Sequence, residues 1–188
     1  MANLFRRLFG AARGDSEWSA VAAWAEAEGH RFARSRDGSG FVVEPSQAAA
    51  GWRLEWGPPQ RHFVSGPELR LRAEVASTGE LQMMLMSRPL MTLLEQQLFD
   101  EVTEGTQTRM DDDTPEEMRW VVLYPQVPGK VLGALRERFG LLSNRPRAST
   151  LWLEEGLAGP LAKTIAWHDP VVPLVLVVQR GRFVLRIE

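Results

Sequence analysis

A chain of 188 residues with 44% hydrophobic content can bury a core of its own, and at this length a single domain is the default organisation. It contains no cysteine, which removes disulfides, thiolate metal sites and a cysteine nucleophile. A formal net charge of −2 and a sequence pI of about 6.0 lack the basic footprint of a dedicated nucleic-acid binder, so no nucleic-acid partner is expected.

The opening stretch, NLFRRLFGAARGD (residues 3–15), sets large apolar residues around paired arginines. At about 100° per residue, Leu4, Phe5, Leu8, Phe9 and Ala12 share an arc of roughly 140°, with Arg6 and Arg13 beside it and Arg7 opposite. No acid precedes Asp15. This pattern predicts a short helix whose apolar face seeks a partner surface and whose arginines favour an anionic one. Some three turns of helix are marginal alone in water, so the partner must supply the missing apolar contact. Gly10 and Gly14 loosen the join between this arm and the domain beginning at Asp15. Arg6 and Arg7 also interrupt the apolar residues, which is unlike the continuous apolar core of a secretory signal.

Beyond this arm, Asp15 or Ser16 is placed to cap a helix carrying Trp18, Val21, Ala22 and Ala25 on one face, stopped by Gly29. HRFARSRDGSGFVVE then reads as a β-hairpin around Asp37–Gly40. The alternation continues through GWRLEWG, ELRLRAEVAS and ELQMMLMS, with a turn at Thr78-Gly79, and predicts an antiparallel meander of five strands.

At SRPLMTLLEQQLFDEVTEG the period changes to that of a helix: Leu90, Leu94, Leu98 and Val102 recur every fourth residue, and Met91 and Phe99 widen the stripe. Residues 106–113 are polar and acidic, and mark the internal boundary. Thr114, Pro115 and Glu117 then form a capping box for one helical turn, after which Trp120–Tyr124 is expected to run as a strand. A further amphipathic helix is predicted on Val131, Leu132, Leu135 and Phe139, ending at Gly140. STLWLEEG is compatible with strand or helix. Leu157, Leu161 and Ile165 suggest a helix that Asp169-Pro170 breaks. The stretch PLVLVVQRGRFVLRIE closes the chain as a hairpin with an interior first arm. The longest apolar run, residues 171–178, is interrupted by Pro173 and is too short to cross a bilayer.

Candidate chemistry is sparse. His30, His62 and His168 are widely separated and none forms a metal-ligand spacing. His168 next to Asp169 is the most suggestive pair for catalysis, although a nucleophile would have to come from elsewhere. Asp111, Asp112 and Asp113 are the weak candidates for a hard cation, without the ligand alternation of a calcium loop. Met83, Met84, Met86 and Met91 read as core filling before thioether metal ligands. No cofactor and no small-molecule ligand can be inferred.

The fold class expected is α+β, a mostly antiparallel β-sheet (meander and C-terminal hairpin) packed by amphipathic helices. Residues 1–14 form an arm and residues 15–188 a single domain, or two intimate halves, 15–105 and 114–188, joined by the acidic loop. The expected function is that of a cytoplasmic, non-catalytic module that binds a protein partner or itself. Leu4, Phe5, Arg6, Arg7, Leu8 and Phe9 dock, and the Glu95–Glu117 zone, with nine acids and Arg109 as its base, offers a negative surface. The alternatives are weak peripheral membrane contact through the arm, and an enzyme whose site is assembled from distant residues around His168 and Asp169.

Overall fold

The computed structural model describes residues 18–47, 51–76, 80–103, 115–164 and 168–188. The fold is α+β: eight strands form an antiparallel sheet in the order β1-β2-β3-β4-β8-β7-β5-β6, accompanied by helices. The strands are β1 (His30–Arg34), β2 (Phe41–Pro45), β3 (Trp52–Gly57), β4 (Glu68–Glu74), β5 (Gln82–Ser87), β6 (Phe139–Ser143), β7 (Leu174–Gln179) and β8 (Arg182–Ile187). The helices are α1 (Ser19–Ala27), α2 (Arg88–Thr103), α3 (Glu116–Leu123), α4 (Pro146–Gly156) and α5 (Ala158–Thr164), with a 3₁₀ segment at Gly129–Glu137. The chain divides into two compact units, one comprising residues up to 74 with 184–188, the other residues 75–183. The halves read from sequence divide the chain elsewhere: here β5 and α2 group with the second unit, and the last residues of β8 with the first. The acidic stretch chosen as the internal boundary lies outside the described residues.

In the first unit, strict alternation separates two faces of β1–β4. Phe32 pairs with Val43, Phe41 with Trp56 and Leu54 with Leu71, so these side chains share one face. Helix α1 lays Trp18, Val21 and Ala25 on that face, where Phe41 and Val43 are also buried. Trp18 meets Phe41 edge-on at 4.9 Å between ring centroids. Val21, Phe41 and Val43 each contribute about 1.5–3 kcal/mol through removal from water, and Ala25 less. The predicted cap at Asp15 or Ser16 lies outside the described residues.

The opposite face carries charge. Arg31 on β1 bonds Glu44 on β2 at 3.0 Å, and Glu44 holds Arg53 on β3 at 2.6 Å. Arg53 also bonds Glu55 at 2.5 Å, and Glu55 accepts Arg70 on β4 at 3.3 Å. The chain of pairs ends on Glu68, which Arg70 meets at 3.1 Å and Arg186 on β8 at 2.5 Å. The segment between β3 and β4 is tied to the same group: the Gln60 amide donates to Glu68 at 2.9 Å, and Arg70 donates to the Pro58 carbonyl at 2.9 Å. Farther along, the Ser65 and Gly66 amides donate to the Glu188 carboxylate at 3.0 and 3.1 Å.

The second unit centres on β5, whose residues Met83 to Ser87 are all buried. A strand apolar on both faces belongs in a sheet's interior, and β5 lies between two others: Met84 pairs with Leu142 of β6 and with Val177 of β7. The five-strand meander is therefore corrected to four strands, since β4 neighbours β8 and β5 neighbours β7 and β6. The predicted turn at Thr78-Gly79 lies outside the described residues. The methionines are core, with Met83, Met84, Met86 and Met91 no more than 2% exposed. Beyond β6, the Val127 amide donates to the Leu141 carbonyl at 2.7 Å and the Ser143 amide to Pro125 at 3.2 Å, so residues 125–127 cover that strand's outer edge.

Helix α2 buries Leu90, Met91 and Leu94 as expected, but Phe99 is 64% exposed and does not belong to the packed stripe. The strand predicted at Trp120–Tyr124 is the second half of α3: Glu117, Met118 and Trp120 are buried at helical spacing, and the Trp120 ring lies 4.5 Å from that of Tyr124 one turn later. Tertiary burial has overridden the strand preference of Val121 and Val122. Phe139, expected in a helix, instead opens the fully buried strand β6. The closing hairpin is as read from sequence, with Arg180 and Gly181 both at positive φ (53° and 74°), as a two-residue hairpin turn demands.

Candidate functional site

Within the second unit, the 3₁₀ segment, α4 and α5 enclose an apolar groove of about 180 Å³. Its shape begins with Pro128, after which the Val131 amide closes a tight turn onto the Pro128 carbonyl at 3.1 Å. Gly133 then breaks the segment at φ 54°, ψ −128°, a backbone conformation that strongly favours glycine. The break leaves Leu132 and Leu135 buried on the groove floor while Val131, at the mouth, stays 42% exposed.

Helix α4 forms a second wall. Ser143 Oγ accepts the Arg145 amide at 2.9 Å where the helix starts, and Pro146 comes next as a first-turn residue. Leu153 is buried and lines the groove. Thr150 also lines it, but its hydroxyl donates to the backbone carbonyls of Pro146 and Arg147 in its own helix. The third wall is α5, which contributes Ala158 and Ala162, small residues one turn apart that leave the space between helices unfilled. Glu154 is the only charged residue among the lining residues.

This lining has no nucleophile beside a base and no cluster of metal donors, and it is apolar apart from Thr150 and Glu154. Its volume suits a phenyl ring, since aliphatic-lined cavities of about 150 Å³ accommodate benzene. Sequence reading identifies Val131, Leu132 and Leu135 as apolar-face residues but misses Leu153, Ala158 and Ala162. The available signal is the pair of alanines at i, i+4 downstream of a Gly-interrupted apolar stretch.

Of the candidate site residues read from sequence, the two that are described, His168 and Asp169, do not line this groove. Leu4, Phe5, Arg6, Arg7, Leu8 and Phe9 lie outside the described residues, as do Asp111, Asp112 and Asp113. Among the described residues there is no group of three His, Asp or Glu side chains able to hold a metal ion. His168 is buried, and the Arg138 guanidinium donates to its backbone carbonyl. Burial, reinforced by the Arg138 charge and opposed by Asp169, moves its imidazole below the usual histidine range. Asp169 is exposed and its carboxylate accepts the Val171 amide at 3.0 Å, closing a local turn. Asp37 accepts Ser39 Oγ at 2.8 Å and the Ser39 amide at 3.1 Å; with hydrogen bonding from Ser35 leading, its pKa is lowered to about 2.

The acidic zone needs one correction. Glu117 is 2% exposed, held inward by the packing of α3, and contributes nothing to a negative surface. Glu95 and Asp100 are exposed on α2, and residues 104–114 lie outside the described residues. No helix among the described residues is long and apolar enough to cross a membrane. Comparison with known proteins finds no matching family model, no similar curated protein and no similar solved structure.

Proposed function

We propose that this chain is a non-catalytic, cytoplasmic partner- or assembly-binding module. Leu4, Phe5, Leu8 and Phe9 supply an apolar docking face flanked by Arg6 and Arg7, and the groove between the 3₁₀ segment, α4 and α5 receives an apolar side chain. The observation that carries this reading is the groove itself: a phenyl-sized space lined by aliphatic side chains, with Glu154 as its single charge. A second reading, peripheral contact with an anionic membrane, draws support from the absence of any acid before Asp15.

Deleting residues 1–14 from the otherwise intact chain tests the reading through light scattering, sedimentation with phosphatidylserine-containing vesicles, and thermal melting. Loss of association with an unchanged melting temperature is expected. Loss of vesicle binding alone favours the membrane reading. A lowered melting temperature with association intact returns the arm to its own globule and overturns both.

A further inference from the structure

We infer that the groove is the receptor for the arm of a second copy of this chain, with Phe5 or Phe9 as the side chain that fills it. This rests on the arm acting as a docking element, and it names the partner. Three features of the groove select such an occupant. Its volume of about 180 Å³ admits one aromatic ring, and the arm carries two rings four residues apart, the spacing of one helical turn. The floor of Leu132, Leu135 and Leu153 offers no side-chain hydrogen-bond partner, which suits phenylalanine over tyrosine or a polar group. Glu154 stands in the lining as the only charge, and the arm brings Arg6, Arg7 and Arg13 to the neighbourhood of Phe9, with no acid before Asp15.

Key and lock therefore occur in one sequence. Gly10 and Gly14 stand between the two rings and α1, and glycine is the residue that most readily lets a chain turn toward a neighbouring molecule. When each of two chains lends its arm to the other, two identical contacts form about a two-fold axis and assembly stops at the dimer.

The full chain is compared by sedimentation equilibrium with three variants. Ala162→Trp fills the groove, Phe5→Ser with Phe9→Ser disables the arm, and Glu154→Arg reverses the charge without filling space. A wild-type dimer is expected, with both the filled-groove and the disabled-arm variants monomeric. Mixing those two restores association, because one retains an intact arm and the other an intact groove. Glu154→Arg weakens the dimer at least tenfold with an unchanged melting temperature, and Arg6→Glu with Arg7→Glu recovers it; this pair of variants decides the matter if Ala162→Trp does not fold. A monomeric wild-type chain overturns the inference. Dissociation on deleting residues 1–14, with Ala162→Trp and Glu154→Arg both still dimeric, overturns the groove assignment and leaves the docking arm standing. Association unaffected by the deletion removes both.

Discussion

Glu68 and Arg186 meet at 2.5 Å across 118 residues of sequence, and the Glu68 side chain is wholly buried. Arg70 and the Gln60 amide complete its coordination at 3.1 and 2.9 Å. A carboxylate so enclosed is tolerated because each cost of losing water is matched by a donor. Taking away one member leaves the others charged and uncompensated. Glu68→Ala is therefore expected to lower the unfolding free energy by about 3–5 kcal/mol, read from urea denaturation midpoints. Arg31→Ala, which breaks the exposed Arg31–Glu44 pair of the same network, costs no more than about 1 kcal/mol.

The same group sets an acid response. Burial alone would raise the Glu68 carboxyl, but hydrogen bonding from Arg186, the Gln60 amide and Arg70 outweighs it and holds the group below the usual glutamate range. A carboxyl lowered in the folded state adds stability that is fully present above its unfolded pKa and is lost as pH falls through the folded value. Unfolding free energy of the wild-type chain should thus decline from about pH 5 downward. Glu68→Gln, weaker at neutral pH, should show a flatter decline over the same window when denaturation is repeated across it.

His168 responds in a higher window. Its imidazole is lowered by burial and by Arg138, so the unfolded chain takes up a proton before the folded one does. Its contribution is whole above the ordinary histidine pKa of about 6.5 and declines as pH falls from there toward the folded value. The imidazole protons tracked by NMR should titrate with a midpoint below that value. His168→Gln should remove this part of the stability difference between about pH 7.5 and about pH 5.5.

The closing hairpin contains a residue less than ideal for its place. Arg180 sits at φ 53°, a left-handed conformation that costs arginine more than glycine, which has no Cβ, or asparagine, whose short side chain can hydrogen-bond locally. Arg180→Asn is expected to raise stability by up to about 1 kcal/mol, and Gly181→Ala, at φ 74°, to lower it by about as much. Thermal melting of the two variants checks both signs.

Local signals are enough for the elements whose partners lie close in sequence. The β1–β2 hairpin announces itself through alternation around Asp37–Gly40, and α1 through the spacing of Trp18, Val21 and Ala25. What local pattern cannot carry is pairing over long separation. Nothing in QMMLM states that Met84 will lie between Leu142 and Val177, and a run apolar on both faces has no alternation to mark its register. Strand β6, five buried residues long, gives the same ambiguous signal and merges with the helix pattern before it. In α3, the β-branched valines point to a strand until the burial of Met118 and Trp120 decides otherwise. The groove is half legible for a related reason: the apolar residues of its floor are visible, but the cavity arises from the Gly133 break and from Ala158 and Ala162 declining to fill it.

The junction at Glu68 also dictates an order of events during synthesis. The first unit takes most of its residues from the start of the chain, yet Arg186 emerges 118 residues after the carboxylate it neutralises. At translation speeds of about 5–20 residues per second, that is a wait of roughly 6–24 s with an acid facing an unfinished strand edge. Strand β4 therefore waits for β8 before the Glu68 junction can close, and the order of synthesis holds that edge of the first unit open for the interval.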